Sequence, residues 1–157
     1  MSEIKLKQEG KISRLTNKTF QFDKTLGEGF YSANYFLKTQ KIIKEFAPNH
    51  IVTMQWFQRK DNVMFCGIDE AIALFHTFAI HPEELVIEAL NDGDIIQNQE
   101  PVLKVTGKYE NFGFLESVID GILARRSSVA TNVKEVLEAA KGTPVFSMAD
   151  RQDDYLT

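Results

Sequence analysis

The stretch 112–151, FGFLESVIDGILARRSSVATNVKEVLEAAKGTPVFSMADR, decides how the rest of the chain is read. Phe114, Val118 and Ile122 recur every four residues with Leu115, Ile119 and Leu123 beside them, which lays a broad apolar face along a helix of about four turns. Such a helix needs a surface to pack on. Arg125 and Arg126 suit its cationic C-terminal end, and Ser127-Ser128 suits the cap of a second helix carrying Val129, Val133, Val136, Leu137 and Ala140 inward. Gly142 ends that second helix. Thr143 to Met148 then reads as a short buried strand, and Asp150, Arg151, Asp153 and Asp154 crowd in directly behind it. In barrels and open α/β sheets the loops after strand C-terminal ends hold ligands, because side chains there converge on one cavity.

Upstream, the chain looks like a platform for this stretch. Met1 to about Lys18 is polar and mixed in charge, an extended lead-in or one strand. Leu26-Gly27-Glu28-Gly29 is a turn before a helix in which Phe36, Ile43 and Phe46 repeat near helical period, stopped by Pro48-Asn49. Ile51 to Gln58 is β-branched and aromatic, and Asp61-Asn62 turns it toward Val63 to Cys66, which predicts an antiparallel hairpin. After Gly67, the acidic pair Asp69-Glu70 opens a helix with Ile72, Phe75, Phe78 and Ala79. Short strands follow at Leu85 to Leu90, Ile95-Ile96 and Pro101 to Gly107, reversed by Gly and Asn turns as in a half-barrel or sandwich. No internal repeat or low-complexity linker interrupts the chain, so a boundary near Asn111 is a packed junction.

Composition narrows the function classes. Of the 157 residues 43% are apolar and 25% charged, enough for a real core, and twelve Phe make that core aromatic. A net charge of −4 without a basic block lacks the electrostatics of a general nucleic-acid binder. The apolar runs fall far short of a bilayer span and the polar start is no signal peptide, so the expectation is a soluble cytoplasmic protein with neither membrane nor nucleic acid as partner. The single cysteine, Cys66, has no internal disulfide partner and no nearby Cys or His pair at ligand spacing, and reads as a buried small apolar residue.

Taken in order, the segments GDIIQNQEPVLKVTGKYENFGFLES, ARRSSVATNV and TPVFSMADRQDDYL resemble the nicotinate phosphoribosyltransferases, one group of the type II phosphoribosyltransferases that also include the quinolinate and nicotinamide enzymes. A Tyr-bearing helix and the join QWFQRKDNVMFCGIDEAI stand upstream at the matching distance. The resemblance implies an α+β chain: an N-terminal α/β sandwich (hammerhead-like) domain over 1–111, then the first helices and first strand of an α/β barrel over 112–157. It implies a reaction joining nicotinate to phosphoribosyl pyrophosphate, giving nicotinate mononucleotide and pyrophosphate, with Mg2+ and ATP coupling. It also implies a homodimer whose site lies where one subunit's barrel meets its partner's N-terminal domain. Departure of pyrophosphate leaves an oxocarbenium-like ribose, so the chemistry needs cations on the leaving phosphates and a positioned ring nitrogen.

By the same resemblance Arg151 is the catalytic residue reaching the pyridine carboxylate, which its guanidinium fork suits. Tyr31 stacks on the ring, Met148 forms the other side of the ring slot, and Arg59, or Lys60 beside it, contacts phosphate. Without the resemblance, Arg151 is a surface cation paired with Asp150, Asp153 or Asp154, Tyr31 is a core aromatic, and basic residues ending a strand are solvated. Met148 stands where relatives carry Phe and Ala149 where they carry Gly, which alters the ring slot. The metal ligands are expected outside this chain.

Two other classes compete. Asn91 to Gly107 is similar to the hammerhead halves of lipoyl and biotinyl carrier domains, although Lys104 lies inside a strand where an acceptor lysine needs an exposed hairpin. A non-catalytic, partner-binding remnant is the other. His50, His76 and His81 lack Ser, Cys or carboxylate partners at a recognisable spacing and read as helix-end or core histidines. Asp92-Gly93-Asp94 reads as turn chemistry instead of a calcium loop. A closed barrel takes roughly 200 residues or more, so 157 residues alone are expected to be inactive.

Overall fold

A computed structural model describes residues 5–6, 14–15 and 18–148. A four-stranded sheet forms one layer, in the order β1 (Lys5–Leu6), β4 (Val86–Ala89), β6 (Leu103–Lys108), β2 (Ile51–Trp56). β1 runs parallel to β4, and the other two pairings are antiparallel. A second sheet pairs β3 (Val63–Met64) with β5 (Ile95–Ile96). The helices are α1 (Asn34–Phe46), α2 (Ile68–Phe78), the short α3 (Tyr109–Phe112) and the long α4 (Glu116–Ala140).

The core follows the strand period. In β6, Leu103, Val105 and Gly107 point inward while Lys104, Thr106 and Lys108 are half-exposed, so one face of the sheet is sealed and the other faces out. The sealed face shares one apolar cluster with Leu74 and Phe75 of α2 and Ile119 and Leu123 of α4. Phe75 anchors it, with Trp56 and Phe112 edge-on at centroid distances of 6.0 and 6.2 Å. Phe112, Phe114 and Leu115 belong to this cluster. On the open face the Thr53 and Thr106 hydroxyls share a hydrogen bond of 2.8 Å across the β2–β6 pair. The approach of the chain to the α2 N-terminus is fixed by Arg14, which donates to Asp69 at 2.8 Å and to the Leu90 carbonyl at 2.6 Å.

Four expectations are corrected here. The strands at 51–58 and 63–66 do not form a hairpin: β2 registers on β6 and β3 on β5, because the intervening loop carries β3 out of the first sheet. Nor do two helices meet at Ser127. α4 is continuous over 25 residues, and Ser127, instead of capping, accepts from Cys66 N at 3.0 Å and donates to Cys66 O at 3.2 Å. One turn on, Thr131 accepts from Met64 N at 3.0 Å. Arg125 and Arg126 therefore sit within the helix, and Arg126 forks onto Glu70 at 3.0 and 3.3 Å. The third correction is that residues 143–148 form no strand, and Phe146 is 87% exposed; a strand needs a neighbour to bond, and no strand among the described residues lies alongside. Last, Phe46 faces outward at 75% exposure while Phe36 alone of α1 is buried.

Gly67 opens α2 with φ +100°, where a side chain is strained. A Cβ there would also lie 2.9 Å from Arg126 Cγ and 3.2 Å from Ile122 Cγ2. The chain crosses α4 closely at this point, which is why the break after Cys66 is a glycine.

Candidate functional site

Along α4, Asp120, Ala124, Ser128 and Asn132 repeat every four residues and so share one face of the helix. Opposite them run the loops joining β2 to β3 and β5 to β6. These loops hold each other: Gln99 N donates to Gln58 O at 2.8 Å, Asn98 N to the Asp61 carboxylate at 2.9 Å, and Val102 N to Trp56 O at 2.9 Å. Between helix and loops lies a groove of about 560 Å³. Its floor is core: Trp56, Phe65, Ile96, Val102 and Leu123 are each at most 7% exposed. Its rim carries Lys60 and the carboxylates of Asp61, Asp120 and Glu135.

Asp120 is the chemically distinctive member of the groove. Burial raises its carboxyl above the usual aspartate range, and a hydrogen bond from the Trp56 side chain pulls the other way. One turn earlier Glu116 is raised too, first by burial and then by the Asp120 charge. Sequence reading passed over Asp120 and Trp56. The signal was present as a carboxylate directly following the buried Ile119, with Ala124, Ser128 and Asn132 continuing its face.

Of the residues singled out by sequence, Tyr31, Arg59 and Met148 do not line the groove. Tyr31 sits in the turn before α1, half-exposed, its hydroxyl 3.1 Å from the Asp23 carboxylate and its ring edge-on to Phe30 at 5.0 Å. It does not line the groove. Arg59 is exposed in the β2–β3 loop; its neighbour Lys60 lines the groove. Met148 follows α4 and is 73% exposed. Arg151 lies outside the described residues.

The remaining candidates resolve into structural roles. Asp92 accepts from Ile68 N at 2.9 Å, and Asp94 from Asn91 N at 2.8 Å, the bonds of a turn and a helix start. Lys104 sits inside β6 between Gln55 and Glu88 in register, not at the tip of a hairpin where a carrier lysine is reached. Cys66 is only partly buried, and burial together with the Asp92 charge pushes its thiol up. His76 is held low by burial. Among the described residues no three His, Cys, Asp or Glu converge as a metal-holding group, and no helix is long and apolar enough to cross a membrane.

Residues 34–127 match the family model described as quinolinate phosphoribosyl transferase, N-terminal domain. The fold is similar to that of a nicotinate-nucleotide pyrophosphorylase from Pyrococcus furiosus, with a TM-score of 0.73 and 26% identity, covering 87% of this chain and 35% of that one. It is also similar to a deletion mutant of NadC, with a TM-score of 0.60 over 77% of this chain and 40% of the other. At 19% identity the latter likeness is one of fold. The mixed sheet-and-helix layers are those of these proteins' N-terminal part.

Proposed function

The chain belongs to the quinolinate phosphoribosyl transferase N-terminal-domain family, and from that premise we propose that it is the leading part of a phosphoribosyltransferase of NAD biosynthesis. The reaction in this reading joins nicotinate to phosphoribosyl pyrophosphate and releases pyrophosphate. The observation that carries it is the family match over residues 34–127. The name of the Pyrococcus furiosus neighbour, a nicotinate-nucleotide pyrophosphorylase, supports the same product.

Because this chain spans only 35% and 40% of the two solved proteins, the proposal divides the labour. Tyr31, Met148 and Arg59 supply ring and phosphate contacts, and Arg151 supplies the fork for the carboxylate. The exposure of Tyr31, Met148 and Arg59 leaves each available to a second body, in keeping with a homodimeric, cytoplasmic enzyme. Magnesium would neutralise the leaving phosphates, and hydrolysis of ATP, where coupling operates, would drive the equilibrium toward the nucleotide; no step in this chain's own residues runs through either. The isolated 157-residue chain is proposed to be inactive.

A second reading, quinolinate as substrate, is favoured by the family's printed description. Quinolinate carries one more carboxyl than nicotinate, so forming a nicotinate nucleotide from it must also release carbon dioxide. An assay of pyrophosphate and carbon dioxide on the enzyme joined to its barrel separates the two. Nicotinate-dependent pyrophosphate without carbon dioxide is expected, falling about 10- to 100-fold in kcat/KM on Arg151→Ala. Turnover of quinolinate alone would replace the first reading with the second, and turnover by the 157-residue chain would remove the division of labour.

A further inference from the structure

None of Tyr31, Arg59 or Met148 lines the groove beside α4, and its chemistry differs from theirs. Among the described residues, a polyanion such as phosphoribosyl pyrophosphate would meet Asp61, Asp120 and Glu135 against one ammonium, that of Lys60. It would be repelled. A wholly apolar ligand would fare no better, because covering Asp120 strips water from a carboxylate and returns no charge or hydrogen bond to it. A ligand that is cationic at one end and apolar along its body meets both requirements.

The site is built for such a molecule. About 560 Å³ lies within the range of small-molecule sites, and the floor cannot slump away because its five side chains belong to the core. Trp56 is wedged edge-on against Phe75 at 6.0 Å, so its indole is fixed in place, and Asp120 lines the same groove. The indole also gives an ammonium an aromatic neighbour, an arrangement worth more where water is excluded. The geometry points to a second binding site in this groove, taking a small protonated amine with an apolar body, the ammonium on Asp120 and the body across Trp56, Ile96 and Val102.

Trp56 is the only tryptophan, so its emission reports occupancy directly. Titrating the chain with 2-phenylethylamine is expected to give a saturable change at neutral pH, with 3-phenylpropionate, of similar size and opposite charge, giving none. Asp120→Asn should weaken amine binding at least tenfold. Ala124→Phe, which fills the groove from an exposed helix position and removes no charge, should abolish it, with far-UV circular dichroism confirming that both variants fold. No saturable change with the amine up to roughly ten millimolar, an equal response to the propionate, or unaltered binding in Asp120→Asn overturns the proposal. Occlusion of the groove by a second copy would appear as the first of these outcomes and counts against it equally.

Discussion

The two halves of α4 carry the same apolar periodicity and meet different fates. From Glu116 to Thr131 the helix is built into the protein: Ile119 and Leu123 are buried, Ser127 and Thr131 bind the β3 segment, and Arg126 grips Glu70. From Asn132 onward the pattern continues, yet Val133, Val136 and Leu137 are 51%, 49% and 54% exposed. A periodic apolar face states that a helix has a side to bury. It does not state that the cover lies within the same segment.

The largest test of this contrast is a pair of truncations in the 157-residue chain. Leu123→Ala should cost about 2 to 5 kcal/mol in urea unfolding, and Leu137→Ala less than about 0.5 kcal/mol. Equal costs would erase the distinction between the halves. Next in size is Gly67→Ala, where positive φ and the crowding by Arg126 and Ile122 act together; a loss of about 2 to 3 kcal/mol is expected. A neutral result would mean that the anchored half does not press on the α2 start.

Sharper, and smaller, is the comparison of adjacent serines. Ser127→Ala leaves the Cys66 amide without its acceptor and should cost about 1 to 2 kcal/mol, with faster hydrogen exchange at Cys66, while Ser128→Ala should be silent within about 0.5 kcal/mol. The smallest effect is His76. Burial lowers its folded value below the unfolded one, so the unfolded chain binds the proton more readily. Stability should be level above about pH 6.5 and fall as pH drops from there toward the folded value. His76→Gln should flatten that fall, as seen in denaturation midpoints against pH.

How much of this was legible beforehand follows from range. The helices at 34–46 and 68–78, the strands at 51, 86 and 103, and the Asp92-Gly93-Asp94 turn declare themselves in local periodicity and turn chemistry. What went unread depended on contacts across the chain. Ser127-Ser128 has the composition of a helix cap, and only the distant Cys66, 61 residues away, makes Ser127 an interior residue. Val63 and Ile96 pair across about a fifth of the chain, in strands of just two residues each, too short for alternation to show. The groove was illegible for the same reason, since its two walls come from α4 and from loops far earlier in sequence. Tyr31 and Arg59 were reached through resemblance, and nothing in their local pattern distinguishes them from solvated residues.

The pair of hydroxyls that reaches from α4 to the strand edge also sets an angle. Ser127 and Thr131 meet Cys66 and Met64 in one orientation of the helix about its axis; a slip of one residue, about 100°, would present Ser128 and Asn132 instead. The free half of the same rigid rod inherits that setting. Whatever comes to cover Val133, Val136 and Leu137 arrives at a surface already aimed, and spends none of its binding energy on turning it.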